Sequence, residues 1–304
     1  MDGLQLRYPL AMVRLVLTVS AFFPRVAAAG EDDSSHRLIW DYPRFRVSEY
    51  IGTGVLAATG LYVEYGWRSE PVGSWSNGIL FDDAARDALR SRSRTTRDRA
   101  AGLSNLLLNP TLYFPVLDSL ITPLVSDRGN TYVASQMFLV DWEAITVASL
   151  LTRVFERSVG RARPSLQECA RDPGYDDDCL PQNAGPGHMS FFSGHTSMAF
   201  TGAALTCIHH QHLPLYGGNA ADVITCAIML GSATTIAGAR LVADRHWASD
   251  VLSGAVLGLG SGYAVPHFLH YRINSKNGDA PPIQASILPF ATPTGFGLAL
   301  AGQM

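Results

Sequence analysis

The 304-residue sequence is short of charge: 16% of its residues are Asp, Glu, Lys or Arg, and the formal net charge is -3. Such a balance carries no overall footprint for nucleic acid, which needs a basic face. It does not describe a disordered chain either, because 47% of the residues are hydrophobic. Cysteine is scarce, four in all, and with no C-x-x-C a zinc or dithiol redox motif is excluded. The G-x-S-x-G elbow of a serine hydrolase is missing. The acid run Asp176 to Asp178 lacks a calcium-loop pattern and reads as a solvated lid. No internal repeat stands out.

What is present begins with an address. Arg7 and Arg14 precede an apolar run from Leu15 to Phe23, and "VAAAGEDDSS" follows. That order reads as a secretory signal peptide over 1–29, which places the mature chain outside the cytoplasm, in a bacterial cell envelope. A polar lead-in (30–48), a helical domain (49–272) and a linker with a β-like tail (273–304) complete the chain. The apolar segments predict an all-α fold, a bundle of about six core helices with its site at one end. Pro110, Pro115 and Pro123 are expected to kink or split the second helix. Most of these segments approach the roughly 20 residues that span a bilayer. Several carry acids, prolines or many small residues, so hydropathy leaves a soluble and a membrane bundle both open.

The cysteines and the histidine tract have plain readings. Cys169 and Cys179 bracket a polar loop that a disulfide could close. Cys207 and Cys226 lie in apolar helical patterns and read as buried thiols. The tract "HHQH", His209 to His212, reads as a solvated loop. An arginine run, from Arg86 to Arg99, precedes the second helix and is available to gather anionic lipid headgroups.

Three clusters carry chemistry. "VGRARP" puts Arg163 just past the helix that ends near Phe155. "SFFSGHTSMAF" puts Ser193, Gly194 and His195 where the next helix starts. "ARLVADRHWASD" puts Arg240 at one helix end and His246 and Asp250 at the following helix start. Short connections make successive helices antiparallel, so all three meet at one end of the bundle. Arg163 and Arg240 offer planar forks for phosphoryl oxygens. The helix start at Ser193 adds unpaired backbone N–H groups and a positive dipole end; Ser193 by itself would be a helix cap, and the two roles can coexist. His246 and Asp250, four apart, predict a carboxylate that fixes one ring nitrogen and frees the other as base or nucleophile. His195, beside an anion, is expected to be protonated and to act as general acid. Such a site needs no metal and no cofactor.

Arg163-Pro164, then Phe-Ser-Gly-His, then Arg240 with His246 and Asp250, resembles the type 2 phosphatidic acid phosphatase superfamily. The resemblance spans about Tyr132 to Phe268. It implies that His246 attacks phosphorus to form a phosphohistidine, with Asp250 orienting it and His195 protonating the leaving alkoxide. Arg163, Arg240, Ser193 and the Gly194 amide would hold the phosphoryl oxygens. The implied substrate is a phosphorylated lipid or a small phosphoester, with membrane association. Haloperoxidases of the same superfamily hold vanadate in this constellation and give an alternative reading. The sequence departs from the pattern where the first motif usually opens with lysine and here has Glu156. That carboxylate would repel a phosphate, so either Arg157 or Arg153 takes over the contact, or the protein is a catalytically impaired envelope protein. Glu156 itself reads as an exposed helix-end acid paired with one of those arginines.

Overall fold

The computed structural model describes residues 37–67, 75–127, 129–180, 183–272, 284–292 and 295–303. The segment read as a signal peptide (1–29) lies outside the described residues, as do residues 273–283. The helices that build the bundle are α1 (Val47–Leu61), α2 (Asp82–Leu89), α3 (Arg94–Ser126), α4 (Thr131–Val159), α5 (Gly194–His212), α6 (Ala220–Val242) and α7 (Ala248–Leu259). π-helical turns follow α1 at Tyr62–Gly66 and α7 at Gly260–Ala264 and His267–Tyr271. Helix α5 is central, packed by α3, α4, α6 and α7, which is the all-α bundle expected. In the tail, β1 (Gln284–Thr292) and β2 (Gly295–Gln303) pair antiparallel, with Thr292 opposite Gly295.

Local chemistry sets the helix ends that position the site. The Asn130 side chain accepts from the Val133 N–H at 3.1 Å to start α4, and Gly160 ends it at φ 62°. Asn219 and Asp222 form a reciprocal capping box at the start of α6.

Helix α3 runs unbroken through Pro110, Pro115 and Pro123, against the expected split. Each proline deprives a carbonyl four residues earlier of its N–H partner. For Pro115 that carbonyl is Thr111's, and it faces Gly202 of α5, where a Cβ would lie 2.3 Å away. The glycine makes room for the carbonyl, and packing on α5 and α6 holds the helix together. A second close approach lies between α5 and α7. Gly254, Gly258 and Gly262 recur every four residues, and Cβ atoms there would sit 2.8, 2.4 and 2.3 Å from the carbonyls of Ser193, Ser197 and Thr201. These two helices touch backbone to backbone, as small-residue seams allow.

Several charged and polar side chains are buried while large apolar ones are exposed. Asp118, Asp141, Glu143, His209, His210 and His270 are buried, while Leu106 and Ile121 of α3, Val223 and Ile228 of α6 and Val256 of α7 are exposed. Among the described residues, α6 is the helix long and apolar enough to cross a membrane, with 28% of its apolar window buried.

Two readings of the sequence are corrected here. His209 and His210 belong to α5 and are buried: His209 lies 2.8 Å from Asp141 and 2.6 Å from Tyr271, and His210 lies 3.1 Å from Asp118 and 2.6 Å from Asp222. Cys207 and Cys226 are not thiols but a disulfide joining α5 to α6, with Cα atoms 4.6 Å apart. The two helices are antiparallel neighbours, which brings a cysteine near the end of one level with a cysteine near the start of the other. Cys169 and Cys179 are also bridged, as the loop between them suggested.

Candidate active site

The segment after α4, the start of α5, the end of α6 and the start of α7 meet at one end of the bundle. His246 precedes α7, so helical spacing does not stack it on Asp250. Its Nδ1 lies 2.9 Å from the Ser190 carbonyl oxygen. A carbonyl only accepts, so Nδ1 carries the hydrogen and Nε2 is bare, 3.5 Å from the Arg240 guanidinium. Burial, reinforced by Arg240 and Arg163, holds the ring well below the usual histidine pKa. His246 is therefore neutral, with a lone pair facing two arginines.

Asp250 does not bond the ring directly, which corrects the expected pairing. Its Oδ2 accepts from Ser190 Oγ at 2.6 Å and from the Trp247 N–H at 3.0 Å, while Oδ1 pairs with Arg161. Asp250 thus acts on His246 through Ser190 and through the turn that leads into α7. Arg161 is fully buried between Asp250 and Asp82, 2.6 Å from the latter, with its guanidinium 4.0 Å from the Trp75 ring centre. Asp82 in turn accepts from Ser249 N and Oγ at 2.8 and 2.7 Å, tying α2 to the first turn of α7. Sequence reasoning missed Ser190, Arg161 and Asp82. Ser190 meets His246 and Asp250, 56 and 60 residues away, and Asp82 meets Arg161 and Ser249, 79 and 167 residues away, and no spacing pattern reveals that.

His195 Nε2 lies 2.7 Å from Asn105 Oδ1 of α3. Burial, then Arg240 and Arg163, push its pKa down to about 3. Without an anion the ring is therefore neutral, and the negative charge of a bound anion is what would offset those arginines. Ser193 is buried, with Oγ 2.9 Å from Thr196 Oγ1, and its side chain makes no cap bond. Its own N–H donates to the Asp250 carbonyl at 3.2 Å, which locks the start of α5 to the start of α7.

The cationic wall is braced by acids. Asp178 lies 2.8 Å from Arg163 and 2.7 Å from Arg245, and Asp176 lies 3.0 Å from Arg245. Both carboxylates are buried, so the run is a brace and not a solvated lid. Even so, the Nε–H groups of Arg163 and Arg240 are buried without a partner, a costly state that invites an acceptor. Arg157 points elsewhere: it donates to the carbonyls of Glu64 and Trp67 at 2.8 and 3.2 Å. This takes it out of contention for the missing lysine. Arg153 pairs with Glu64 at 3.1 Å and Glu156 at 2.9 Å, and Glu156 is buried, not exposed.

The arginine run has a structural task. Arg86 grips Asp244 at 2.7 Å, Arg90 grips Glu168 at 2.7 Å, and Arg97 donates to the Tyr175 carbonyl at 2.6 Å while lying 3.7 Å over its ring centre. Arg86 thus fixes the turn after α6, and Arg90 and Arg97 hold the disulfide-closed segment against the bundle, while Arg92, Arg94 and Arg99 are exposed.

With that geometry in place, residues 142–274 match the family model of the PAP2 superfamily, in agreement with the resemblance read from the motifs. The matched segment is a little under half of the chain and contains every site residue from Arg153 to Asp250. Among individual proteins, a PA-phosphatase related-family protein of Dictyostelium discoideum is 29% identical over 134 residues, 43% of this chain and 47% of that protein. The match thus spans about half the relative's length. The chain is also similar to the crystal structure of a transmembrane PAP2-type phosphatidylglycerolphosphate phosphatase from Bacillus subtilis. There the identity is 21% and the TM-score 0.44, over 73% of this chain and 94% of that one.

Proposed function

We propose that the chain is a phosphatase that hydrolyses a phosphomonoester or pyrophosphate, of a lipid above all, through a phosphohistidine on His246 and without a metal. The observation that carries this reading is the bare Nε2 of His246, 3.5 Å from Arg240, beside the unpartnered Nε–H groups of Arg163 and Arg240. A phosphoryl group seated there meets a nucleophile and a preorganised cationic cradle together. Nε2 attacks phosphorus, the bond to the leaving oxygen breaks, and His195 delivers a proton to that oxygen. The dianion supplies the field that lets His195 take up this proton. The phosphorylated ring then carries positive charge, which the Ser190 carbonyl stabilises at Nδ1. Water attacks the phosphohistidine next, its proton goes to the now neutral His195, and inorganic phosphate leaves. Arg163, Arg240, Ser193 and the Gly194 amide hold the phosphoryl oxygens throughout.

The exposed apolar faces of α3, α6 and α7 support association with a membrane and access to a lipid substrate. The two disulfides support a location outside the cytoplasm, in the bacterial envelope, with the site on the periplasmic side. The test is phosphate release, in chelator, from phosphatidic acid, phosphatidylglycerophosphate, undecaprenyl pyrophosphate and a chromogenic phosphomonoester, by native protein and His246→Ala. Hydrolysis by the native protein with an acid-labile phosphoenzyme is expected. A folded native protein that releases phosphate from none of them ends the proposal.

A further inference from the structure

The substitution at Glu156 has a structural answer beyond the loss of a cation. Its carboxyl is buried at the last turn of α4, against the start of α5. Oε2 takes the Arg153 guanidinium at 2.9 Å. Oε1 lies so close to Gly194 that a Cβ there would sit 2.8 Å from it. Gly194 is the first residue of α5 and lies between Ser193 and His195, so the carboxyl borders the N–H groups that face the phosphoryl oxygens. Any side chain at Gly194 would displace it.

An ionised carboxylate in this place competes with a phosphate for the same donors. We propose that Glu156 is a proton-gated wall of the phosphoryl site: protonated, it donates a hydrogen bond to the bound tetrahedral anion, and ionised, it repels that anion. The proposal rests on the phosphatase reading only in taking the ligand to be a tetrahedral oxyanion. The charged groups around Glu156 bear on the balance. Arg153 faces it from its own helix, Glu64 from the π turn after α1 and Arg163 from the segment beyond α4. His195 lies one residue past Gly194 on α5, with Arg240 and His246 across the pocket. Burial, opposed by Arg153, lifts the Glu156 pKa above the usual glutamate value, and a bound anion lifts it further.

A lysine at this position, charged throughout, would add no pH dependence of its own to oxyanion affinity in mildly acid to neutral solution. The glutamate makes binding consume a proton, so that affinity falls as pH rises through the Glu156 titration. His195 and His246 impose a dependence of the same sign, so the diagnostic quantity is the part that belongs to Glu156 alone.

Sulfate is the appropriate probe, because it remains a dianion from pH 5 to 8 while phosphate does not. Calorimetric titration of the full chain with sulfate across that range should show native affinity falling about tenfold more steeply than that of Glu156→Gln. Superimposable curves overturn the proposal and leave the phosphatase reading intact. No sulfate binding at any pH in either protein overturns both. Where Glu156→Gln fails to fold by circular dichroism, infrared difference spectra of the native protein decide. Adding sulfate at pH 7 must create a protonated-carboxyl carbonyl band, and its absence overturns the proposal.

Discussion

Both ends of the bundle bury histidines among polar groups, and the two sets are treated in opposite ways. At the far end His210 lies between Asp118 and Asp222, His209 between Asp141 and Tyr271, and His270 2.9 Å from Glu143. Each ring nitrogen of His210 faces a carboxylate, which only accepts, so that ring is held as an imidazolium. At the site end His246 and His195 face arginines, are held neutral, and sit beside guanidinium N–H groups with nothing to bond. The same residue type serves stability where its partners complete it and chemistry where they leave it wanting. A deficit alone does not mark a site, since His212 Nε2 and His267 Nδ1 at the far end also lack partners; it is the deficit of two guanidinium groups beside a neutral histidine that points to an anion.

This contrast can be broken or sharpened by mutation. The largest effect is expected for His246→Ala, which should lower phosphate release by about ten-thousand-fold or more with little change in melting temperature. Equal loss of stability and activity would mean that the site end is built like the far end. His210→Gln should do the reverse, costing about 3 kcal/mol by leaving Asp118 and Asp222 facing each other without a cation, with kcat retained. Its pH dependence has a definite sign. Burial would lower the His210 pKa, but Asp118 and Asp222 outweigh this and raise it. Its stabilisation is therefore complete below about pH 6.5, the unfolded value, and is lost as pH rises through the folded value. Native protein should lose stability on that alkaline limb in denaturant titrations, and His210→Gln should lack the limb.

Gly258→Ala comes next: its Cβ would meet the Ser197 carbonyl at 2.4 Å. We expect a cost of about 2 kcal/mol, with lowered kcat, because α5 carries His195 and α7 follows directly on His246. The smallest effect is Ser190→Ala, which cuts the link from Asp250 while leaving the carbonyl that holds Nδ1. A fall of about tenfold in kcat, with KM unchanged, is the expected reading.

Much of this was legible in the sequence, for identifiable reasons. The helical segments followed from their apolar runs, and antiparallel connection alone brought Arg163, Ser193, Arg240 and His246 together. Partnership over long separations was not legible. Nothing in "SFFSGHTSMAF" says that the Ser190 carbonyl, not Asp250, holds His246. Nothing near Asp82 says that it anchors the turn before Asp250. The prolines of α3 misled because the rule that breaks a helix is local, while the glycine that accommodates the freed carbonyl lies on another helix. Cys207 and Cys226 looked like thiols because each was weighed in its own helix, although their positions in consecutive antiparallel helices place them side by side.

The glycine seam between α5 and α7 has a consequence for how this chain can vary over time. Contacts made by side chains can be retuned one substitution at a time, whereas a seam made by two backbones is a ruler with no adjustable marks. Inserting or deleting one residue in α7 ahead of Gly258 would turn the later glycines by about 100° around the helix and put side chains where only hydrogen fits. Length changes should therefore accumulate in the loops around the site and be purged from this pair of helices, leaving the distance between Ser193 and Asp250 as the most conserved dimension of the molecule.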